Sequence, residues 1–383
     1  MAGEFDFDKV IDRRGTNSKK WHKRESSDVI PMGVADMDFP SPPPVLTALQ
    51  KHIEHGIFGY TQIAEELTRT VQSRLETNYG WKIDKDWLVW LPGLVSGLNI
   101  VCRAAGAPGD QVITSTPVYP PFLTAPINMK RELVKVPLLH EDGHWTFDFN
   151  QLEDAVTPRS RLFLLCNPHN PVSRAYTREE LETLAELCLR HDLWICADEI
   201  HCELILNQDH AHIPLATLSS EYAERTITFM SPSKTFNLAG IGCAFAVIPN
   251  SELRNTFLQA KAGIVPHTNA LGYTACLAAY RDGESWHKAL LEYLRVNKDI
   301  VQESIAETTG LSVSPIEATY LAWIDVRSLQ LNHPGKFFEE AGVDLWEGTD
   351  FGGPGFVRLN FGCPRSLLVE GLKRIRISVR ALL

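Results

Sequence analysis

The chain has 383 residues, 44% of them hydrophobic and 22% charged, and a net charge of −10. That composition describes a water-soluble globular protein with chain enough for two or three domain-sized units, or for one large and one small. The acidic balance and a pI near 5.7 argue against nucleic acid or an anionic membrane as main partners, and no apolar run approaches the ~20 residues that cross a bilayer.

The N-terminus, MAGEFDFDKVIDRR, is acidic and lacks the apolar core of a secretory signal, so a cytoplasmic location is expected. The basic run KKWHKR, residues 19–24, reads as a solvated or interface loop. Four prolines between Pro40 and Pro44 precede an amphipathic stretch, which predicts an extended linker feeding a helix. From there to about residue 250, short apolar runs alternate with helical patterns. The candidate strands are WLVWL (87–91), QVITS (111–115), RLFLLC (161–166), LWICA (193–197), TITFM (226–230) and CAFAVI (243–248). The clearest helix is REELETLAELCLRHD, 178–192, with leucines at helical spacing. Strands apolar throughout and separated by helices predict a mostly parallel sheet covered on both faces. Ligands of such sheets bind outside the carboxyl ends of the strands.

After about residue 280 the pattern changes. A long helix (285–307), two strand-like runs, TYLAWIDV (319–326) and FVRLNFG (356–362), and a last helix predict a smaller α+β domain. The segment before Pro40 is expected to pack with it. The eight cysteines, 102, 166, 188, 196, 202, 243, 276 and 363, form no C-x-x-C pair and read as buried free thiols in a reducing compartment. His210 and His212 in QDHAHIP read as part of a polar loop rather than as metal ligands, and no metal is expected.

Three strand ends carry chemistry. LFLLC delivers NPHNP (167–171), LWICA delivers DEIH (198–201) and TITFM delivers SPSK (231–234). Each polar cluster sits where a parallel strand empties into the crevice. Asp198 read alone is a helix cap or a buried structural acid, and Lys234 read alone is a surface lysine. Together they are the two groups a pyridoxal phosphate site requires: an amine for a Schiff base with the aldehyde, and a carboxylate that keeps the pyridine nitrogen protonated. Asn170 offers an amide suited to the phenolic oxygen, or merely an Asn-Pro turn. Tyr119 in TPVYPPF offers a ring to stack on the pyridine, or ordinary loop packing. The turn entering the helix at LPGLVSGLNIVCRA places free N–H groups near Val95 and Ser96, an anion site, and Ser231 and Ser233 add hydroxyl donors. Arg358 in FVRLNFG is a lone strand arginine, suited either to a structural ion pair or to a bidentate clamp on a substrate carboxylate.

Taken in order, NPHNP, ADEIH, SPSKTFNLAG and VRLNFGCPR resemble the fold-type I pyridoxal phosphate enzymes, the aspartate aminotransferase (class I/II) superfamily. With FDFDKVIDRRGTNSKKW, PMGVADMDFP and HGIFGYT, the chain resembles most closely the bacterial cystathionine β-lyase or C–S lyase branch, over essentially its whole length. The resemblance implies a large cofactor-binding domain, 45–280, on a mostly parallel, helix-covered seven-stranded sheet. It also implies a smaller α+β domain made of 1–44 and 281–383. It makes Lys234 the Schiff-base lysine, Asp198 the pyridine-nitrogen partner, Asn170 the ligand of the phenolic oxygen and Tyr119 the stacking ring. Arg358, with Asn170, takes the substrate carboxylate, and Ser231, Ser233, Val95 and Ser96 take the phosphate. His201 adjoins the cofactor, and Tyr60 in GYT reaches it from a neighbouring subunit, so the active unit is expected to be a homodimer with sites at the interface.

The sequence departs from the superfamily pattern at four places. His201 stands where many aminotransferases carry tyrosine, as in lyase-branch relatives. Ser173 replaces the glycine of NPxNPxG, Gly33 replaces a bulky residue and suggests a roomier pocket, and Gly242 stands in place of an arginine eight residues past the lysine. The activity implied is β-elimination on cystathionine or another S-substituted cysteine, giving a thiol, pyruvate and ammonia. The alternatives are an aminotransferase acting on a small amino acid and a regulatory binding protein that retains the cofactor.

Overall fold

The computed structural model describes residues 5–22, 28–141 and 143–383. Seven strands form one sheet in the order Leu88–Leu91, Ala244–Val247, Thr226–Met230, Trp194–Asp198, Ser160–Cys166, Gln111–Thr116, Glu132–Pro137. Ala244–Val247 runs antiparallel to both its neighbours, and the remaining pairs are parallel. The central strands are apolar throughout because both faces are covered: every residue of Thr226–Met230 is buried. Glu132–Pro137 is the strand that hydrophobicity does not reveal. It lies at the edge, half-exposed, and its Glu132 and Lys135 leave the open edge charged.

One face of the sheet packs Leu98, Val101, Phe122 and Phe257 from three helices. The other packs Leu181, Leu184 and Ala185 from Arg178–Arg190. That helix begins in a capping box. Thr177 Oγ1 accepts from Glu180 N at 3.2 Å, and Glu180 Oε2 accepts from Thr177 N at 2.8 Å. The predicted linker is extended at Pro42 and feeds the helix Pro43–His55.

The C-terminal part forms a four-stranded antiparallel sheet in the order Ser312–Val313, Leu321–Asp325, Phe356–Asn360, Trp346–Glu347. The helices Glu284–Ala306 and Arg365–Leu382 share its core through Leu290, Leu294, Leu368 and Leu372. The N-terminal segment joins this part, since Ile30–Pro31 pairs in parallel with Val343–Asp344.

In the basic run at 19–24, Lys19 and His22 are exposed as expected of a solvated loop, but Lys20 is not. Lys20 is buried, with Nζ 2.6 Å from Asp38 Oδ2. Arg13 holds Asp38 at 2.7 Å and Asp36 at 3.0 Å, and Trp21 Nε1 donates to Asp38 Oδ1 at 2.9 Å. Burial alone would raise the Asp38 carboxyl, but Lys20, Trp21 and Arg13 outweigh it and hold it below its ordinary range. Lys23 and Arg24 lie outside the described residues. The QDHAHIP loop needs a similar correction, because buried His212 pairs through Nε2 with buried Glu199 at 2.8 Å. Among the described residues no three histidine, cysteine or acidic side chains group as metal ligands, and no helix is long and apolar enough to cross a membrane. All eight cysteines are buried and unpaired, as their sequence setting predicts.

Candidate active site

Parallel strands end on one edge of the sheet, so the residues that follow them meet there. Asp198 closes Trp194–Asp198, Asn170 follows Ser160–Cys166, Lys234 follows Thr226–Met230 and Tyr119 follows Gln111–Thr116. Three cis peptide bonds, Thr116–Pro117, Asn167–Pro168 and Asn170–Pro171, shape these turns, and Tyr119 N donates to Asn170 O at 3.0 Å. Between them lies a cavity of about 530 Å³. Of the eleven residues expected at the site, Lys234, Asp198, Asn170, Tyr119, Val95, Ser96, Ser231, Ser233 and His201 line it.

Burial sets the charges. Asp198 is pushed up to about 7, chiefly by desolvation, and the Ile200 N–H at 3.1 Å only partly opposes that. Lys234 is pushed down to about 8 by burial and then by the positive charge of Arg358. Its Nζ donates to Ala35 O at 2.6 Å, an oxygen that also accepts from Tyr320 OH at 3.1 Å. His201 is held far below the ordinary histidine range by burial, then by Lys234 and Arg358, so its imidazole is neutral. Its Nδ1 is buried without a hydrogen-bond partner, and the ring stands edge-on to Tyr320 with centroids 6.1 Å apart.

Arg358 does not line the cavity wall; it lies fully buried just behind it. Nη1 donates to Asn170 Oδ1 at 2.9 Å and Nη2 to Gly33 O at 2.8 Å. The guanidinium lies 4.6 Å from the ring of Trp346 and 4.7 Å from that of Phe351. It has no carboxylate partner among the described residues, and burial pushes it down to about 10. A buried cation without a counter-ion is costly on its own.

Anion donors meet at another wall. The helix Leu94–Ala104 begins there, with no side-chain cap on its first N–H groups. Ser231 Oγ is engaged: it donates to Cys243 O at 2.7 Å and accepts from Ser233 N at 3.1 Å. It therefore orients the turn, and it also lies 2.9 Å from the Oγ of Ser233, which lines the cavity. The missing arginine has a steric cause. Gly242 sits at φ +70°, and a Cβ there would lie 2.8 Å from Pro92 O.

Ser173 keeps the loop geometry that glycine usually provides. At φ +59° it adopts the left-handed conformation. Its hydroxyl bonds Leu321 O at 2.7 Å and Thr319 Oγ1 at 2.9 Å, which ties the loop to the C-terminal sheet. Gly33 stands outside the cavity wall, against the backbone of Leu345 and Trp346, so it opens no extra room there. Tyr60 is fully exposed and does not reach the cavity of its own chain.

Sequence reasoning missed Ala35, Asp36, Lys19 and Trp346, which also line the cavity. The signal was the pair of acids in VADMD set against Arg13 and Lys20 upstream, a charge pattern that needs closure of the chain to be read. A larger cleft, about 670 Å³, lies beside Arg74 and Arg281, but those arginines pair with Glu203 and Glu66. Its shifted acid, Glu284, is held below its ordinary range, against the effect of burial, by the charges of Arg74, His287 and Lys288.

The lysine, the acid and the anion donors on separate walls of one cavity fit pyridoxal phosphate. Among the described residues Asp198 forms no ion pair, a place a ring nitrogen would take, Lys234 lies near its neutral form, and the helix start has no side-chain cap on its N–H groups.

The family profile described as Aminotransferase class I and II matches residues 27–375. Cystathionine beta-lyase PatB of Bacillus subtilis is 36% identical, over 98% of this chain and 100% of that protein. The crystal structure of OvoB superposes with a TM-score of 0.96 at 44% identity, covering 98% of this chain and 99% of that one. Cystalysin from Treponema denticola, whose structure contains a pyridoxal 5′-phosphate cofactor, superposes with a TM-score of 0.95 at 33% identity, covering 99% and 100%.

Proposed function

The chain belongs to the aminotransferase class I and II family, and on that premise we propose that it is a pyridoxal phosphate-dependent C–S lyase. It cleaves cystathionine or other S-substituted cysteines by β-elimination to a thiol, pyruvate and ammonia. The observation that carries the reading is one cavity holding a near-neutral lysine, a buried acid and, behind its wall, a buried arginine, the acid and the arginine each without an ion pair among the described residues. The relatedness to a cystathionine β-lyase and to cystalysin supports it.

Bound in the cavity, pyridoxal phosphate supplies an electron-accepting ring that stabilises negative charge at the substrate Cα. Asp198 would hold the proton on the ring nitrogen, and Asn170 would donate to the phenolic oxygen. His201 presents a neutral imidazole beside them. The Val95–Ser96 turn and Ser233 would hold the phosphate, with Ser231 fixing the turn, and Tyr119 would hold the ring. Arg358 holds the substrate α-carboxylate and Asn170 orients the guanidinium. The Lys234 amine, pushed towards its free-base form, anchors the cofactor and takes the proton from Cα.

The reading extends to architecture. The large domain is 45–280, and the small domain joins 1–44 to 281–383; the pairing of Ile30–Pro31 with Val343–Asp344 supports the join. The active unit is a homodimer in which Tyr60 enters the neighbour's cavity, a role supported by the exposure of Ile57, Phe58 and Tyr60 together. Eight unpaired thiols suit a reducing, cytoplasmic setting.

The test is pyruvate release from cystathionine, coupled to lactate dehydrogenase, with no 2-oxo acid added. Turnover under those conditions is expected. A strict requirement for a 2-oxo acid acceptor would make the enzyme an aminotransferase instead. Lys234→Ala is expected to remove both the visible absorption of bound cofactor and pyruvate release.

A further inference from the structure

We infer that Lys19 sets substrate choice by recognising a negative charge on the sulfur substituent, a step that rests on the lyase reading above. Lys19 is exposed and also lines the cavity that holds Lys234 and Asp198, so it stands on the rim where the cavity meets solvent. It forms no ion pair or hydrogen bond among the described residues, and its surroundings explain why. Asp36, on the same wall, is held by Arg13 at 3.0 Å and lies 3.9 Å from Lys20 Nζ. Asp38 is held by Lys20 at 2.6 Å and by Arg13 at 2.7 Å. The carboxylates of Asp36 and Asp38 are thus committed to other cations, and Lys19 has no counter-ion among the described residues.

The second such cation is Arg358 at the inner end. Arg358 Nη2 donates to Gly33 O at 2.8 Å, and Lys20 Nζ donates to Asp36 O at 3.2 Å, so the segment 33–36 runs from Arg358 to Lys20, the chain neighbour of Lys19, and Asp36 and Lys19 line the same cavity. Three residues span at most about 11 Å when fully extended. That is the length scale of a substrate carrying one carboxylate beside its amino group and another at the end of its sulfur substituent. Because Lys19 is solvated, its effect is a preference of about fivefold rather than an absolute requirement, and salt weakens it.

The experiment compares two substrates of equal length, S-(2-carboxyethyl)-L-cysteine and S-propyl-L-cysteine, on the holoenzyme. The readouts are kcat/KM for pyruvate release and the dissociation constant from the visible absorption of the bound cofactor. The wild type is expected to favour the carboxylated substrate, and Lys19→Gln to lower the ratio by about fivefold. Lys19→Glu should lower it further, and Lys135→Gln, an exposed lysine on the edge strand, should leave it unchanged. An unaltered ratio in Lys19→Gln overturns the inference, as does an equal change in Lys135→Gln. If the wild type releases no pyruvate from either substrate, the lyase reading fails, and the ratio of dissociation constants still decides the role of Lys19.

Discussion

Asp198 and Lys234 are each held away from ordinary ionisation by the burial that makes them useful. Asp198 titrates near 7 in the fold and near 3.8 when unfolded, so the folded chain binds the extra proton between those values. Stability of the cofactor-free protein therefore falls as pH rises from about 4 to about 7, and the penalty is complete above that window. Asp198→Asn removes it. At pH 8 the cofactor-free variant should gain roughly 2–4 kcal/mol in urea unfolding and almost nothing at pH 4. Pyruvate release by the same variant should drop at least ~100-fold. Lys234 runs the other way, from 10.5 down to about 8. Its amine is the reacting form, so the rate of cofactor uptake, followed by absorbance, should rise with pH through about 8. Both residues were legible in the sequence because apolar runs marked the strand ends that carry them. The Ala35 carbonyl that holds Lys234 Nζ was not, since a backbone oxygen 199 positions away leaves no side-chain signal.

At the level of elements, within the seven-stranded sheet the sequence revealed the strands buried over most of their length and missed Glu132–Pro137, whose burial is partial. Ser160–Cys166 is apolar and buried from Leu162 onward and Thr226–Met230 is buried throughout, whereas Glu132–Pro137 mixes Leu133, Val134 and Val136 with Glu132 and Lys135 at a solvated edge. The antiparallel direction of Ala244–Val247 was invisible for a different reason: an apolar run does not encode its direction. The Lys20 environment depends on closure over 18 residues, so a basic run looked solvated until Asp38 was brought to it. Loop chemistry has its own consequence. Ser173 occupies a left-handed position at a cost of about 1 kcal/mol, offset by its two short hydrogen bonds to the C-terminal sheet. Ser173→Ala keeps the strain and loses the bonds, and should destabilise the protein by about 1–3 kcal/mol in thermal or urea unfolding. Thr177→Ala, which opens the capping box of Arg178–Arg190, should cost about 1 kcal/mol without changing kcat/KM.

For the whole molecule, the exposure of Tyr60 sets up a complementation test of the proposed dimer. Tyr60→Ala and Lys234→Ala subunits should each be impaired alone, by weaker cofactor binding in the first case and loss of the amine in the second. Unfolded together and refolded as an equal mixture, they should regain roughly a quarter of wild-type pyruvate release, from the one intact site of each hybrid dimer. No recovery would show that each cavity is complete within its own chain. The ion network of Arg13, Lys20, Asp36 and Asp38 carries a different consequence, one for how such chains are translated. Initiation at the internal Met32 or Met37 would yield a polypeptide that keeps Lys234, Asp198, Asn170, Tyr119 and Arg358. It would lack Arg13 and Lys20, and the Asp38 carboxylate would be left in the interior with neither partner, a loss of about 3–5 kcal/mol. A product started there would carry every cofactor residue and still fail to hold the wall of its own active site.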